Sequence, residues 1–476
     1  MSEAQPRGAF TANADGTGAA GSRIARVLGS TVFIATLCLL GLSAIPYGTS
    51  HPWWKAFLVC AIFFLAMLWL GEGFISNRWF ADSAPLVIPL ALLAIFSLGQ
   101  TFSFSTAGPN PAGIAFTPWN AISADPYQTR FFAVELLGLT LAGVFLFRYA
   151  ASERRTRLTI KVVIGIAVAS AIFGILRQTT QHSAGFGLPL LLQDQGYAQF
   201  INRNHFAYLM EMGLGLIVGL ILGGGVKREQ SLIYVAALLP LWTALVLCGS
   251  RGGLIAMLAQ LIVAALLFSR FVARSPKGGA SLAWARSWPA QAGLVGLLLV
   301  GVVFGTIWLG GDQLATRIED SRNELSADPA GLRQGASRSE IWSASWKLFR
   351  THPIPGVGMG AYWAAIPATH NASGTLTPQE AHNDYLELLT SGGIPGFLLG
   401  LWFVLVVCRR VHRNLRSPNR ARRAVSFGAA LGLAGVAVHS LVDFGLHTLV
   451  NTLVFTTLIF IATSNAPWAS EPVRNP

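Results

Sequence analysis

The chain has 476 residues, of which 53% are hydrophobic and only 12% charged, so it carries more apolar surface than one soluble core can bury. A net charge of +13 would suit nucleic acid in a soluble chain, but here the basic residues cluster in the loops between apolar runs, which excludes that partner. Cys38, Cys60, Cys248 and Cys408 all lie in or beside apolar runs, so neither a disulfide framework nor a zinc-ligand spacing is present.

Residues 1–22 are polar and rich in Gly, Ala and Thr, and they read as a disordered cytoplasmic tail with no signal-peptide cleavage pattern after it. Runs long enough to cross a bilayer follow near 27–46, 55–75, 85–104, 130–149, 158–178, 205–224, 231–248, 252–270, 290–310, 393–411, 424–443 and 446–464. The expected fold is therefore all-α, a polytopic integral membrane protein of about twelve transmembrane helices. The expected domains are the tail 1–22, nine helices over 23–310, one large loop domain over 311–391, three helices over 392–465 and a second cytoplasmic tail over 466–476. An even count puts both termini on one side. That side, with its tails, carries 23 Lys/Arg against 7 Asp/Glu, while the opposite side and the spans carry 11 against 14. By the positive-inside rule the basic side is cytoplasmic and the 311–391 loop faces outward.

Eight of the nine histidines, His51, His182, His205, His352, His370, His382, His439 and His447, fall in outer loops or at outer helix ends. Three outer arginines stand beside apolar runs: Arg203 in Asn202-Arg203-Asn204-His205, Arg251 in Ser250-Arg251-Gly252-Gly253, and Arg338 in Ser337-Arg338-Ser339-Glu340-Ile341-Trp342. An arginine at a membrane surface can simply snorkel to lipid phosphate. Three near one face instead suit a diphosphate, because guanidinium forks pair with phosphate oxygens and stay charged when desolvated. The helix expected over 338–350 gathers Ile341, Trp342, Ser345, Leu348 and Phe349 on one side, which fits either an interfacial helix or a packing face within the loop domain. Pro355-Gly356-Val357-Gly358-Met359-Gly360 reads as a tight turn that brings backbone close to substrate or membrane.

The stretch from Ala381, AHNDYLELLTSGGIPG, predicts a short helix that ends at Gly393, with Pro395 opening the next. On a helical spacing His382, Leu386 and Leu389 share one face, which presses His382 against the membrane surface. His382 is the candidate general base, with Asn383 or Asp384 setting its tautomer. His439, Asp443 and His447 bracket the last outer turn and act either as a buried ion pair that orients the bundle or as part of the site. No Asp-x-Asp pattern stands at an outer helix end, which argues against a catalytic divalent metal, and no cofactor is expected.

These motifs together resemble the O-antigen ligase and polymerase family of bacterial inner-membrane proteins, over roughly residues 200–450. The residues that carry the resemblance are Asn202 to His205, Ser250 to Gly253, Arg338 to Trp342, Pro353 to Gly360 and His382 through Gly393. The resemblance implies a metal-independent glycosyltransferase in the inner membrane with a periplasmic active site. Its donor would be a saccharide on undecaprenyl diphosphate, and its acceptor a hydroxyl of lipid A-core or another glycan. His382 would be catalytic, Arg203, Arg251 and Arg338 would bind the diphosphate, and Asn383, Asp384, His205 and Asp443 would support them. The insertion around Asn323 to Gly335 has no assignable role. A transporter is the rival reading, since twelve Gly-rich spans also describe permeases, but no inverted repeat is evident and a large outer domain has no place in a simple permease.

Overall fold

The structure is a computed structural model and describes residues 14–45, 47–77, 79, 83–103, 121–180, 196–273, 337–370 and 377–468. The described residues form helices and no strand. In chain order they are α1 (Ala14–Ser43), α2 (Pro52–Ser76), α3 (Ala84–Gly99), α4 (Pro126–Tyr149), α5 (Glu153–Thr180), α6 (Arg203–Leu222), α7 (Ser231–Leu247), α8 (Arg251–Ala273), α9 (Arg338–Thr351), α10 (Tyr362–Ala365), α11 (Asp384–Leu415), α12 (Arg420–His439) and α13 (Leu449–Thr463). Seven are long and apolar enough to cross a membrane, and α3, α7, α8 and α13 are shorter apolar helices. Eleven of the twelve expected spans thus fall on helices. The twelfth, 290–310, lies outside the described residues, as do most of the first tail, all but the first three residues of the second (466–476), His182, residues 311–336 of the loop domain and the insertion around Asn323 to Gly335. One boundary differs: α1 begins at Ala14, inside the stretch expected to be irregular.

The bundle is built around α6, which has the most buried apolar window of any candidate span. Its partner is α12, and the reason lies in their glycines. A Cβ on Gly215 would run into the backbone of Gly432, and one on Gly219 into the backbone of Gly428. Small residues four apart let two backbones touch, and in a bilayer such packing, not water exclusion, drives helix association. Gln260 of α8 ties the pair further, its Nε2 donating to the carbonyls of Glu211 and Leu431 at 3.0 Å each.

A second layer caps the end of the bundle that carries His382. Helix α9 opens with a capping box of Ser337 and Glu340 and buries Ile341, Ala344, Ser345 and Leu348. That face packs on Val357, Tyr362, Ala365, Ile366 and Ala381, so of the two readings of α9 the packing face is the one realised. Trp346 remains half exposed.

Helix α11 breaks at Gly393 (φ 60°, ψ −164°), where the sequence placed it. A side chain there would overlap the carbonyls of Pro353 and Ile354 and the amide of Gly356. The Pro355 to Gly360 turn is what fills the break, with Val357 N donating to Thr390 O (3.1 Å) and Gly358 N to Ser391 O (3.0 Å). Gln100 closes the joint, its Nε2 reaching Pro355 O and Ser391 O while its Oε1 accepts from Met359 N. The glycine-rich turn therefore approaches a helix kink, because the broken helix leaves backbone groups that must be paired there.

Replacing Gly219 by Val should force α6 and α12 apart and destabilise the folded protein by about 1–3 kcal/mol, the usual cost of overpacking. Thermal unfolding of the purified variant in detergent measures this, and an unchanged melting curve would mean the glycine contact is not what joins the helices.

Candidate functional site

Four of the five segments singled out in the sequence converge on one turn, His439 to Phe444, at the end of α12; the fifth, Pro353 to Gly360, fills the α11 break instead. From α6, Asn204 Nδ2 donates to Asp443 Oδ2. From α9, Arg338 Nη2 reaches the same oxygen at 3.3 Å. From the start of α11, Ser440 Oγ donates to Asp384 Oδ2 at 2.6 Å, and Asp384 N donates back to Ser440 O at 3.0 Å. From α8, Gly252 packs directly on the His439 ring. Arg338 is held by the hub, and Arg203 and Arg251 stand next in sequence to the residues that touch it. Asp443 is almost fully buried while Arg338 is 40% exposed, so the pair presents its cationic face outward.

His382 sits at the edge of this turn. Its ring meets Phe444 edge-on at 4.8 Å, and Phe444 also meets His205 at 4.8 Å and His447 at 5.6 Å. The segment before it is fixed from two sides. Trp342 Nε1 donates to Ala381 O at 3.1 Å, which couples His382 to the helix of Arg338, and Ala381 N donates to Glu387 Oε2 at 2.8 Å.

Two expectations about His382 need correction. It does not share a helical face with Leu386, because Asn383 is the N-cap (φ −164°, ψ 103°) and α11 begins only at Asp384. Asn383 Oδ1 accepts from Tyr385 N and Leu386 N, the ordinary service of an N-cap asparagine. His382 instead precedes the helix with φ 49°, a left-handed conformation that costs a non-glycine residue energy and that cores and loops rarely retain without cause. Nor do Asn383 and Asp384 set its tautomer, since the first is spent on the cap and the second on Ser440. Among the described residues the His382 ring makes no hydrogen bond, and its Nδ1 is buried without a partner. That leaves Nε2 as the ring nitrogen not enclosed in this way. Burial pushes the imidazole below its usual value, Asp443 opposes this and Arg338 reinforces it, so the ring is neutral at pH 7.

The other histidines have separate tasks. His205 Nδ1 pairs with Thr448 Oγ1 at 2.8 Å within the bundle. His439 Nδ1 lies 2.7 Å from Glu211 Oε1, both side chains fully buried, so His439 is half of a buried pair whose other member comes from α6. His447 Nδ1 lies 3.2 Å from Glu380, and its Nε2 is 3.5 Å from Glu387 and 3.7 Å from Asp384. Burial opposes charge on His447, but the carboxylates of Glu380 and Glu387, and then Asp384, outweigh it and hold the imidazole well above its usual value. Glu380, Glu387 and His447 bring donor atoms within 4.8 Å of one another, the one constellation among the described residues close enough to share a cation. Sequence reasoning missed it because the members come from a loop, a helix and a turn some sixty residues on. A protonated His447 among carboxylates accounts for it as an ion-pair cluster.

Replacing Asp443 by Ala strands the half-buried amides of the Asn204 side chain and of Phe444, and should lower stability by about 1–3 kcal/mol. Little of that comes from Arg338, whose exposed charge water screens. A chemical or thermal denaturation series on Asp443→Ala and Arg338→Ala checks the order, and equal losses would contradict it.

Residues 236–401 match the O-antigen ligase family, a segment that includes Arg251, Arg338, His382 and the break at Gly393. No curated protein matches the chain significantly. Over residues 236–401 the chain therefore carries an O-antigen ligase domain, and the Arg251, Arg338 and His382 motifs of that domain gather at one end of the helix bundle.

Proposed function

We propose that the protein is a glycosyltransferase of the O-antigen ligase type that moves a saccharide from undecaprenyl diphosphate to an acceptor hydroxyl of lipid A-core or another glycan, on the periplasmic side of the inner membrane. The observation that carries this reading is the convergence of Arg338, the Arg203 and Arg251 segments and a hydrogen-bond-free His382 on one helix end. The outward charge asymmetry of the loops supports the side, and the arginines support a diphosphate donor.

The reaction is a single displacement. The acceptor oxygen forms a bond to the anomeric carbon as the bond from that carbon to the phosphate oxygen breaks, and the lipid diphosphate departs with the electron pair. Charge builds on the leaving diphosphate, and fixed guanidinium groups at a partly dehydrated surface stabilise it without acid catalysis. The hydroxyl proton passes to His382 Nε2, which is neutral and unencumbered, and then to water. Displacement at one centre inverts its configuration. Asp443 orients Arg338, while Asp384, Asn383 and His205 hold the backbone and rings around the base.

His382→Ala should fold and bind the lipid-linked donor yet lose at least about 10²-fold in single-turnover transfer, the usual contribution of a general base. Normal transfer by this variant would remove His382 from the chemistry, and weak binding with an unchanged chemical rate would make it a phosphate ligand. Because the imidazole is held below its ordinary value of about 6.5, wild-type turnover should fall on the acid side as the ring protonates, with its midpoint below pH 6.5. A midpoint above pH 6.5 would contradict the assignment. For the arginines, Lys at 203, 251 or 338 should restore little of the activity that Ala removes, since a point charge lacks the paired donors of the fork. Full activity in all three Lys variants would reduce them to surface charge.

A further inference from the structure

Glu211 and His439 take no part in the chemistry above, yet both are completely buried in the helix bundle and 2.7 Å apart. Apolar residues of the same volume would serve packing at least as well there, because a buried polar pair must offset its own desolvation. This one also leaves loose ends. Glu211 Oε2 and His439 Nε2 are buried without a hydrogen-bond partner among the described residues, an arrangement that costs stability and calls for a reason.

What the pair touches supplies the reason. Tyr208 stacks on the His439 ring at 4.1 Å and 19°, and its hydroxyl is 3.3 Å from Ser440 Oγ, so the ring cannot rotate freely. The opposite edge of the ring is the seat of α8. A Cβ on Gly252 would overlap His439 Nε2, and a Cβ on Gly253 would meet Glu211 Oε1 at 3.2 Å and Ala207 Cβ at 2.8 Å. Each glycine of the turn therefore rests on one member of the pair. Ser250 Oγ accepts from Gly253 N at 3.1 Å and completes the helix start. Two and a half turns deeper, Gln260 bridges the carbonyls of Glu211 and Leu431, so α8 is pinned at two heights against α6 and α12.

We infer that Glu211 and His439 are a positioning pair that sets the Ser250 to Gly253 turn, and with it the place of Arg251 relative to the Asp443–Arg338 pair. The inference rests on the reading of Arg251 as a diphosphate ligand. Two glycine contacts at the positions directly after Arg251, with the Ser250 Oγ bond to Gly253 N bracketing it, restrict where its Cα can lie, and a guanidinium fork is useful to a diphosphate only if its stem starts from a defined point.

The test uses full-length protein reconstituted in lipid, with an undecaprenyl-diphosphate-linked saccharide as donor, and compares donor KM and kcat for Glu211→Leu, Glu211→Gln, Gly252→Ala and Arg251→Ala, each normalised to folded protein. Glu211→Leu and Gly252→Ala should raise donor KM about tenfold, equivalent to about 1.4 kcal/mol, with kcat changed far less. Glu211→Gln should recover most of the loss, since its amide oxygen still accepts from His439 Nδ1. Gly252→Ala keeps both members of the pair and decides the matter if Glu211→Leu does not fold. Wild-type KM in the pair and glycine variants, alongside a raised KM in Arg251→Ala, overturns the positioning role alone. Wild-type KM in Arg251→Ala overturns the diphosphate reading and this inference with it.

Discussion

The contact between the backbones of α6 and α12 is the constraint on which the site depends. Gly215 against Gly432 and Gly219 against Gly428 bring the two helices to touching distance, and everything above that crossing inherits the register. Once it is set, Glu211 meets His439, Tyr208 meets His439 and Ser440, and Asn204 meets Asp443, each pair one turn nearer the end. No membrane-water boundary could align side chains to tenths of an ångström. A helix crossing at glycine can, because packing in lipid is a matter of shape.

From that zipper the chemistry follows by attachment. Asp443 faces inward to Asn204 and outward to Arg338, so the buried carboxylate links the bundle to the loop layer. Trp342 then carries the position of α9 across to Ala381, and the strained His382 is held between this bond and the ring of Phe444. The strain is itself informative. At φ 49°, and with a ring that makes no hydrogen bond among the described residues, His382 contributes little to holding the fold together, which is the observation behind its proposed role.

Much of this could be read in the sequence because the signals were local. Apolar length marked the spans, Gly393 and Pro395 marked the break, and Ser337 with Glu340 marked the start of α9. The reading failed where long-range pairing decides. His382 was placed on a helical face because its neighbours are helical, but the extended backbone of Asn383 starts the helix one residue later. The glycines of Pro355 to Gly360 suggest a close backbone approach, but the sequence does not show that one partner is the kink of α11, more than thirty residues away. The ion cluster of Glu380, Glu387 and His447 and the Glu211–His439 pair join segments that no periodicity connects. His439 is legible in the sequence as half of a buried pair, but its partner in α6 cannot be named before the fold is known.

The account stands or falls on where a lipid diphosphate binds. A structure of the full-length protein in lipid, with the undecaprenyl-diphosphate-linked donor held on the His382→Ala variant, tests it directly. The account predicts the diphosphate between the guanidinium groups of Arg203, Arg251 and Arg338, with the anomeric carbon facing the space vacated by the imidazole. Diphosphate bound at another face of the bundle, or against the Glu380, Glu387 and His447 cluster, would contradict it.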